Sequence, residues 1–111
     1  LRFNEIKRVL SDIFLFKNLS EEQIDKTVHA LEKKKFSAGE VIVQQGDEAS
    51  NFYLIQRGSI VVLKGKDKVR TLGRWDYFGE RGLLLHERRS ATCQAEEQCT
   101  CLVLGATVFS D

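Results

Sequence analysis

The apolar residues of this chain change their spacing at Phe36, from helical steps of three and four to the alternation of strands. Before that point Phe3, Ile6, Val9, Leu10, Ile13 and Phe14 form the stripe of an amphipathic helix. A second helix has a marked start. Ser20 and Gln23 stand at the spacing of a capping box, and Leu19 and Ile24 at the two positions of a hydrophobic staple. Ile24, Val28 and Leu31 continue one face. Lys33, Lys34 and Lys35 are expected at the end of this helix, where its dipole favours positive charge. His29 reads as a surface or boundary histidine within it.

After Phe36, Val41–Gln45, Phe52–Gln56, Ser59–Lys64 and Val69–Leu72 read as short strands, followed by Ala91–Ala95 and Gln98–Leu104. Turns are expected at Gly46-Asp47, Arg57-Gly58, Lys64–Lys68 and Glu96-Glu97. The chain holds eight glycines and no proline, so glycine alone punctuates it. Short strands with turns every 8–12 residues or so predict a mostly β, α+β fold, an antiparallel barrel or jelly roll behind N-terminal helices.

A chain of 111 residues is one ordinary domain. Seventeen Lys and Arg against sixteen Asp and Glu leave a formal net charge of +1, which argues against a nucleic-acid surface. No apolar run approaches the ~20 residues of a membrane span, and the N-terminus lacks a secretory signal's apolar core. Cys93, Cys99 and Cys101 are odd in number and close together, which fits reduced thiols of a cytoplasmic protein, packed on strands as core filler. With no paired CxxC and only two histidines, no metal site and no cofactor are expected.

One segment breaks the strand rhythm, from Tyr77 to Ser90. Gly79 and Gly82 allow close backbone approach, and Leu83, Leu84 and Leu85 suit a short helix facing the core. A glycine-rich turn opening a short helix offers free N–H groups to an anion. Arg89 adds a planar fork suited to phosphate oxygens. Glu80 supplies two acceptors, which a sugar hydroxyl needs and a phosphate does not. Glu80 paired with Arg89 as a salt bridge in an empty pocket is the plainer alternative.

Phe78-Gly79-Glu80 followed by Arg89-Ser90-Ala91-Thr92 resembles the phosphate-binding cassette of cyclic nucleotide-binding domains. Gly46-Asp47, Phe52-Tyr53-Leu54-Ile55 and Gly58 are similar to the family's first barrel strands, and Leu10–Leu31 to its N-terminal helices. The resemblance implies an eight-stranded β-barrel, a 3′,5′-cyclic nucleotide as ligand, and a conformational output without catalysis. It implies that Glu80 accepts from the ribose 2′-hydroxyl. It also implies that Arg89 pairs with the cyclic phosphate, joined by backbone N–H groups of Gly82, Leu83 and Ala91. Three positions depart from the family pattern. Gly82 stands for alanine, Arg88 for a proline that would stiffen the loop, and Trp75 for glycine or a polar residue.

Two positions bear on the base. Ser90 stands where cGMP-preferring members carry threonine or serine, and its hydroxyl suits guanine's 2-amino donor. Val69-Arg70-Thr71-Leu72-Gly73 resembles the strand before the cassette in cGMP-dependent protein kinases. There an arginine fork at Arg70 matches guanine's O6 and N7 acceptors, whereas adenine presents a donor. The plainer alternatives are an exposed strand arginine for Arg70 and a small turn residue for Ser90. Arg81 makes a Phe-Gly-Glu-Arg cassette that resembles protozoan cGMP-dependent kinases; it suits either a nucleotide contact or simple solvation. The expected organisation is one domain. Helices fill 1–35, the barrel with cassette 78–92 fills 36–104, and a further helix starts at 105–111. The expected ligand is cGMP, with cAMP as the alternative. The expected partners are neighbouring nucleotide-binding domains and a kinase domain of a longer chain, with neither nucleic acid nor a membrane span. A ligand-free interaction module is the reading from another class.

Overall fold

The computed structural model describes residues 2–80 and 87–105. They form two compact units, Leu1–Leu31 and Glu32–Asp111. Arg81, Gly82 and Leu83, the rest of the expected cassette helix, and the expected helix start after Gly105 lie outside the described residues.

The first unit holds α1 (Arg2–Ser11), a 3-10 turn (Phe14–Phe16) and α2 (Glu21–Ala30). The capping box forms as its spacing requires. Gln23 N–H donates to Ser20 Oγ at 3.2 Å, and Ser20 N–H donates to Gln23 Oε1 at 2.8 Å. Lys7 of α1 reaches Glu21 at 3.0 Å and Asp25 at 2.9 Å on α2. Those two carboxylates hold its pKa above the ordinary lysine value, Asp25 most strongly. The stripe residues Leu10, Ile13, Ile24 and Val28 are buried, while Phe14 is 85% exposed.

The helix ends earlier than the lysines suggested. Leu31 caps α2 with extended backbone, ψ 133°, and the next five residues are a strand. Lys33, Lys34 and Lys35 therefore stand in β1 (Glu32–Phe36), paired in register with β8 from Glu32↔Val103 to Phe36↔Cys99. Their expected place in the last turn of a helix is corrected by that ladder. Lysine is tolerated there because β1 is an edge strand and all three side chains are exposed.

The second unit continues with β2 (Val41–Val43), β3 (Asn51–Arg57), β4 (Ile60–Lys64), β5 (Asp67–Leu72), β6 (Tyr77–Phe78), β7 (Thr92–Ala95) and β8 (Cys99–Gly105). These make two four-stranded antiparallel sheets, ordered β1-β8-β3-β6 and β2-β7-β4-β5. The expected closed eight-stranded barrel is thus a double-sheet jelly roll; among the described residues no ladder joins one sheet to the other. The sheets share one core. Tyr53, Ile55, Cys101 and Val103 of the first meet Ile60, Val62, Leu72 and Cys93 of the second. Burial pushes the thiol of Cys93 up to about 11 and that of Cys101 up to about 12, as befits packing groups. Among the described residues no helix is long and apolar enough to cross a membrane.

Candidate functional site

A cavity of about 320 Å³ opens in the second unit, near the lower end of the roughly 300–1,000 Å³ common for small-molecule sites. Val43, Val62, Leu72 and Cys93 give it an apolar wall from the β2-β7-β4-β5 sheet. Arg70, Glu80, Arg89 and Ser90 give it polar groups, and Gly79 and Ala91 complete the expected set. Six of the nine residues singled out from the sequence therefore face one cavity; the other three lie outside the described residues.

Arg89 is the most firmly held of them. Its Nη2 donates to the carbonyl of Asn51, at the start of β3, at 2.7 Å. Its guanidinium carbon lies 5.8 Å from the centre of the Tyr53 ring, within cation–π range. That ring is itself stacked on Phe78 of β6, with centroids 4.8 Å apart and planes 9° from parallel. The platform exists because β3 pairs with β6, placing Tyr53 opposite Phe78. Burial draws the Arg89 pKa down, and Tyr53, Cys93 and Glu80 act the other way. A guanidinium starts so high that it keeps its charge at neutral pH. Among the described residues no ion pair joins Glu80 to Arg89, and both residues line the cavity.

Gly79 makes this seat possible. Its φ of +90° is left-handed, and a Cβ there would lie 2.5 Å from Arg89 Nη1 and 2.6 Å from the Asn51 carbonyl oxygen. The backbone of Arg89 is fixed from the opposite side by the turn after β2. Gly46 N–H donates to the Arg89 carbonyl at 2.9 Å, and Arg89 N–H donates to the Asp47 carbonyl at 2.8 Å. Arg88 adds its Nη1 to the Gly46 carbonyl at 2.9 Å, and Glu48 and Arg88 form a β-bridge. The arginine that stands in place of the family's proline thus reaches the Gly46 turn.

Sequence reasoning missed three contributors. The Asn51 carbonyl leaves no trace in residue type. Tyr53 reads as one more apolar strand residue. Arg88 reads as a lost proline. Trp75, by contrast, is unusual in both readings, with a left-handed φ of 69° and Arg74 lying 5.1 Å over its ring.

Residues 33–111 match the family model described as cyclic nucleotide-binding domain. A cGMP-dependent protein kinase of Eimeria tenella is 43% identical over 86% of this chain and 10% of its own length. Another from Toxoplasma gondii is 32% identical over 100% of this chain and 11% of its own. The chain thus spans about a tenth of the length of these relatives. Among solved structures, the regulatory domain of Toxoplasma gondii PKA with cAMP superposes with a TM-score of 0.87. It is 28% identical and covers 98% of this chain and 43% of that one. The matched stretch is a regulatory binding domain and not a catalytic one. A phosphate-suited arginine, a hydroxyl-suited carboxylate and the matched sequence converge: the chain belongs to the cyclic nucleotide-binding domain family.

Proposed function

We propose that this domain senses cGMP and that occupancy relieves inhibition of an attached protein kinase domain. One observation carries the reading: Arg70 of β5 and Ser90 line the same cavity as Glu80 and Arg89. Arg89 pairs with the cyclic phosphate, joined by backbone N–H groups of Gly82, Leu83 and Ala91. Glu80 accepts from the ribose 2′-hydroxyl. Ser90 accepts from guanine's 2-amino group, and Arg70 donates to O6 and N7, where adenine would oppose it with a donor. The likeness to two protozoan kinases named for cGMP supports this choice of base.

Neighbouring nucleotide-binding domains and the kinase domain of one cytoplasmic chain are the partners this reading requires. The ligand shifts their equilibrium only by its difference in affinity for the two states. The cAMP reading is favoured by the likeness to a regulatory domain solved with cAMP and to fungal cAMP-dependent protein kinase regulatory subunits. Calorimetric titration of the 111-residue chain with each nucleotide decides between them. Tighter binding of cGMP is expected. Equal or tighter binding of cAMP turns the assignment to the second reading, and binding of neither rejects both.

A further inference from the structure

We infer that Arg88 is a positioning residue for Arg89, acting through the Gly46 turn; this rests on the cavity being a cyclic nucleotide site. The phosphate fork at Arg89 is useful only if its backbone is fixed, because a small swing at Cα moves the guanidinium by ångströms. The fixing comes from a turn distant in sequence. Two backbone hydrogen bonds, at 2.9 and 2.8 Å, join Arg89 to Gly46 and Asp47. Gly46 and Asp47 are exposed, so these two bonds compete with water. Arg88 supplies a third, a charge-assisted bond from its Nη1 to the Gly46 carbonyl at 2.9 Å.

The geometry is reciprocal. Gly46 donates its N–H to the Arg89 carbonyl and accepts at its own carbonyl from the Arg88 side chain, so the two arginines hold opposite ends of one peptide residue. Glu48 and Arg88 continue the contact as a bridge. Residues on both sides of the turn, Val43 and Ala49, line the cavity, so the clamp also fixes part of its wall. A proline at position 88 would stiffen the cassette from within; this arginine stiffens it by tethering it to the turn after β2.

The test is a double-mutant cycle in the 111-residue chain, reading cGMP affinity by calorimetry and release by stopped-flow with a fluorescent cGMP analogue. Arg88→Ala is expected to weaken binding about 2- to 12-fold, mostly through faster release. Arg88→Lys should recover part of that loss. In an Arg89→Ala background, Arg88→Ala should change affinity by less than about 1.5-fold, because the group it positions is gone. Equal losses in both backgrounds would overturn the inference, since Arg88 would then be acting on the ligand or the fold directly. So would full affinity in Arg88→Ala where Arg89→Ala binds weakly. If Arg89→Ala itself binds normally, the cyclic nucleotide reading falls, and this inference with it.

Discussion

Arg89 occupies the space that a Cβ on residue 79 would need: its Nη1 would lie 2.5 Å from that atom, and the Asn51 carbonyl oxygen only 2.6 Å from it. The guanidinium can swing away, but the strand carbonyl cannot. Gly79→Ala should cost about 1–3 kcal/mol of stability, from the left-handed φ and the clash. It should also lower cGMP affinity roughly 10- to 150-fold by unseating a charged hydrogen-bonding group. Urea unfolding and calorimetry read the two effects separately. A variant with unchanged affinity would show that this seat is not the binding position of Arg89.

Arg89→Ala leaves a cyclic phosphate facing donors without a full countercharge. The expected loss is about 2–4 kcal/mol, or about 30- to 1000-fold in affinity. Glu80→Ala should weaken binding by less, since only one partner in the ribose contact is charged. Equilibrium binding of cGMP to each variant checks the order of the two losses.

Base selectivity rests on Arg70 and Ser90. Ser90→Ala should lower cGMP affinity roughly 2- to 12-fold and leave cAMP nearly untouched. Arg70→Ala should narrow the preference further, and the double variant should approach indifference. Parallel titrations with both nucleotides measure this. Should the parent bind the two equally, neither Arg70 nor Ser90 reads the base.

Trp75 holds a φ of 69° that side chains with a Cβ adopt at a cost of about 1–2 kcal/mol. Trp75→Gly should therefore be more stable than Trp75→Ala by about 1 kcal/mol, although alanine normally wins in regular structure. Comparing the two truncations cancels the lost indole contacts. Chemical denaturation of both gives the difference, and alanine proving equal or better would contradict it.

The buried thiols make an alkaline prediction. Cys93 and Cys101 ionise at about 11 and about 12 in the folded chain, above their ordinary value of 9.0, because burial disfavours the thiolate. A raised folded value means the stabilisation is complete below pH 9 and lost as pH climbs through the folded values. Stability should fall by about 1.4 kcal/mol per pH unit for each thiol across that window. Replacing both with alanine should flatten the slope measured by denaturant unfolding between pH 9 and 11, whatever it does to stability at pH 7.

What could be read from the sequence was what residues decide locally. Ser20 and Gln23 make their capping box three residues apart, and neither needs the rest of the fold. Gly79, Glu80, Arg89 and Ser90 announce themselves by the chemistry a phosphate and a sugar demand, and they do meet around one cavity. Pairing between distant segments was not readable. β1 carries three consecutive lysines with no alternation, and only the ladder to β8 makes it a strand. β6 is two residues long and exists through Tyr53 and Leu54. The bond from Arg88 to Gly46 spans 42 positions, and no local pattern reports it.

The lysines of β1 have a consequence beyond their own strand. Among the described residues β1 is an outer strand of its sheet, paired on one side only, and an open template for a further strand. A second copy docking there in antiparallel fashion would bring its own lysines against Lys33, Lys34 and Lys35. Like charges opposite one another across a strand pair repel, so the three lysines that mark β1 out in the sequence also set a penalty on self-pairing at this edge.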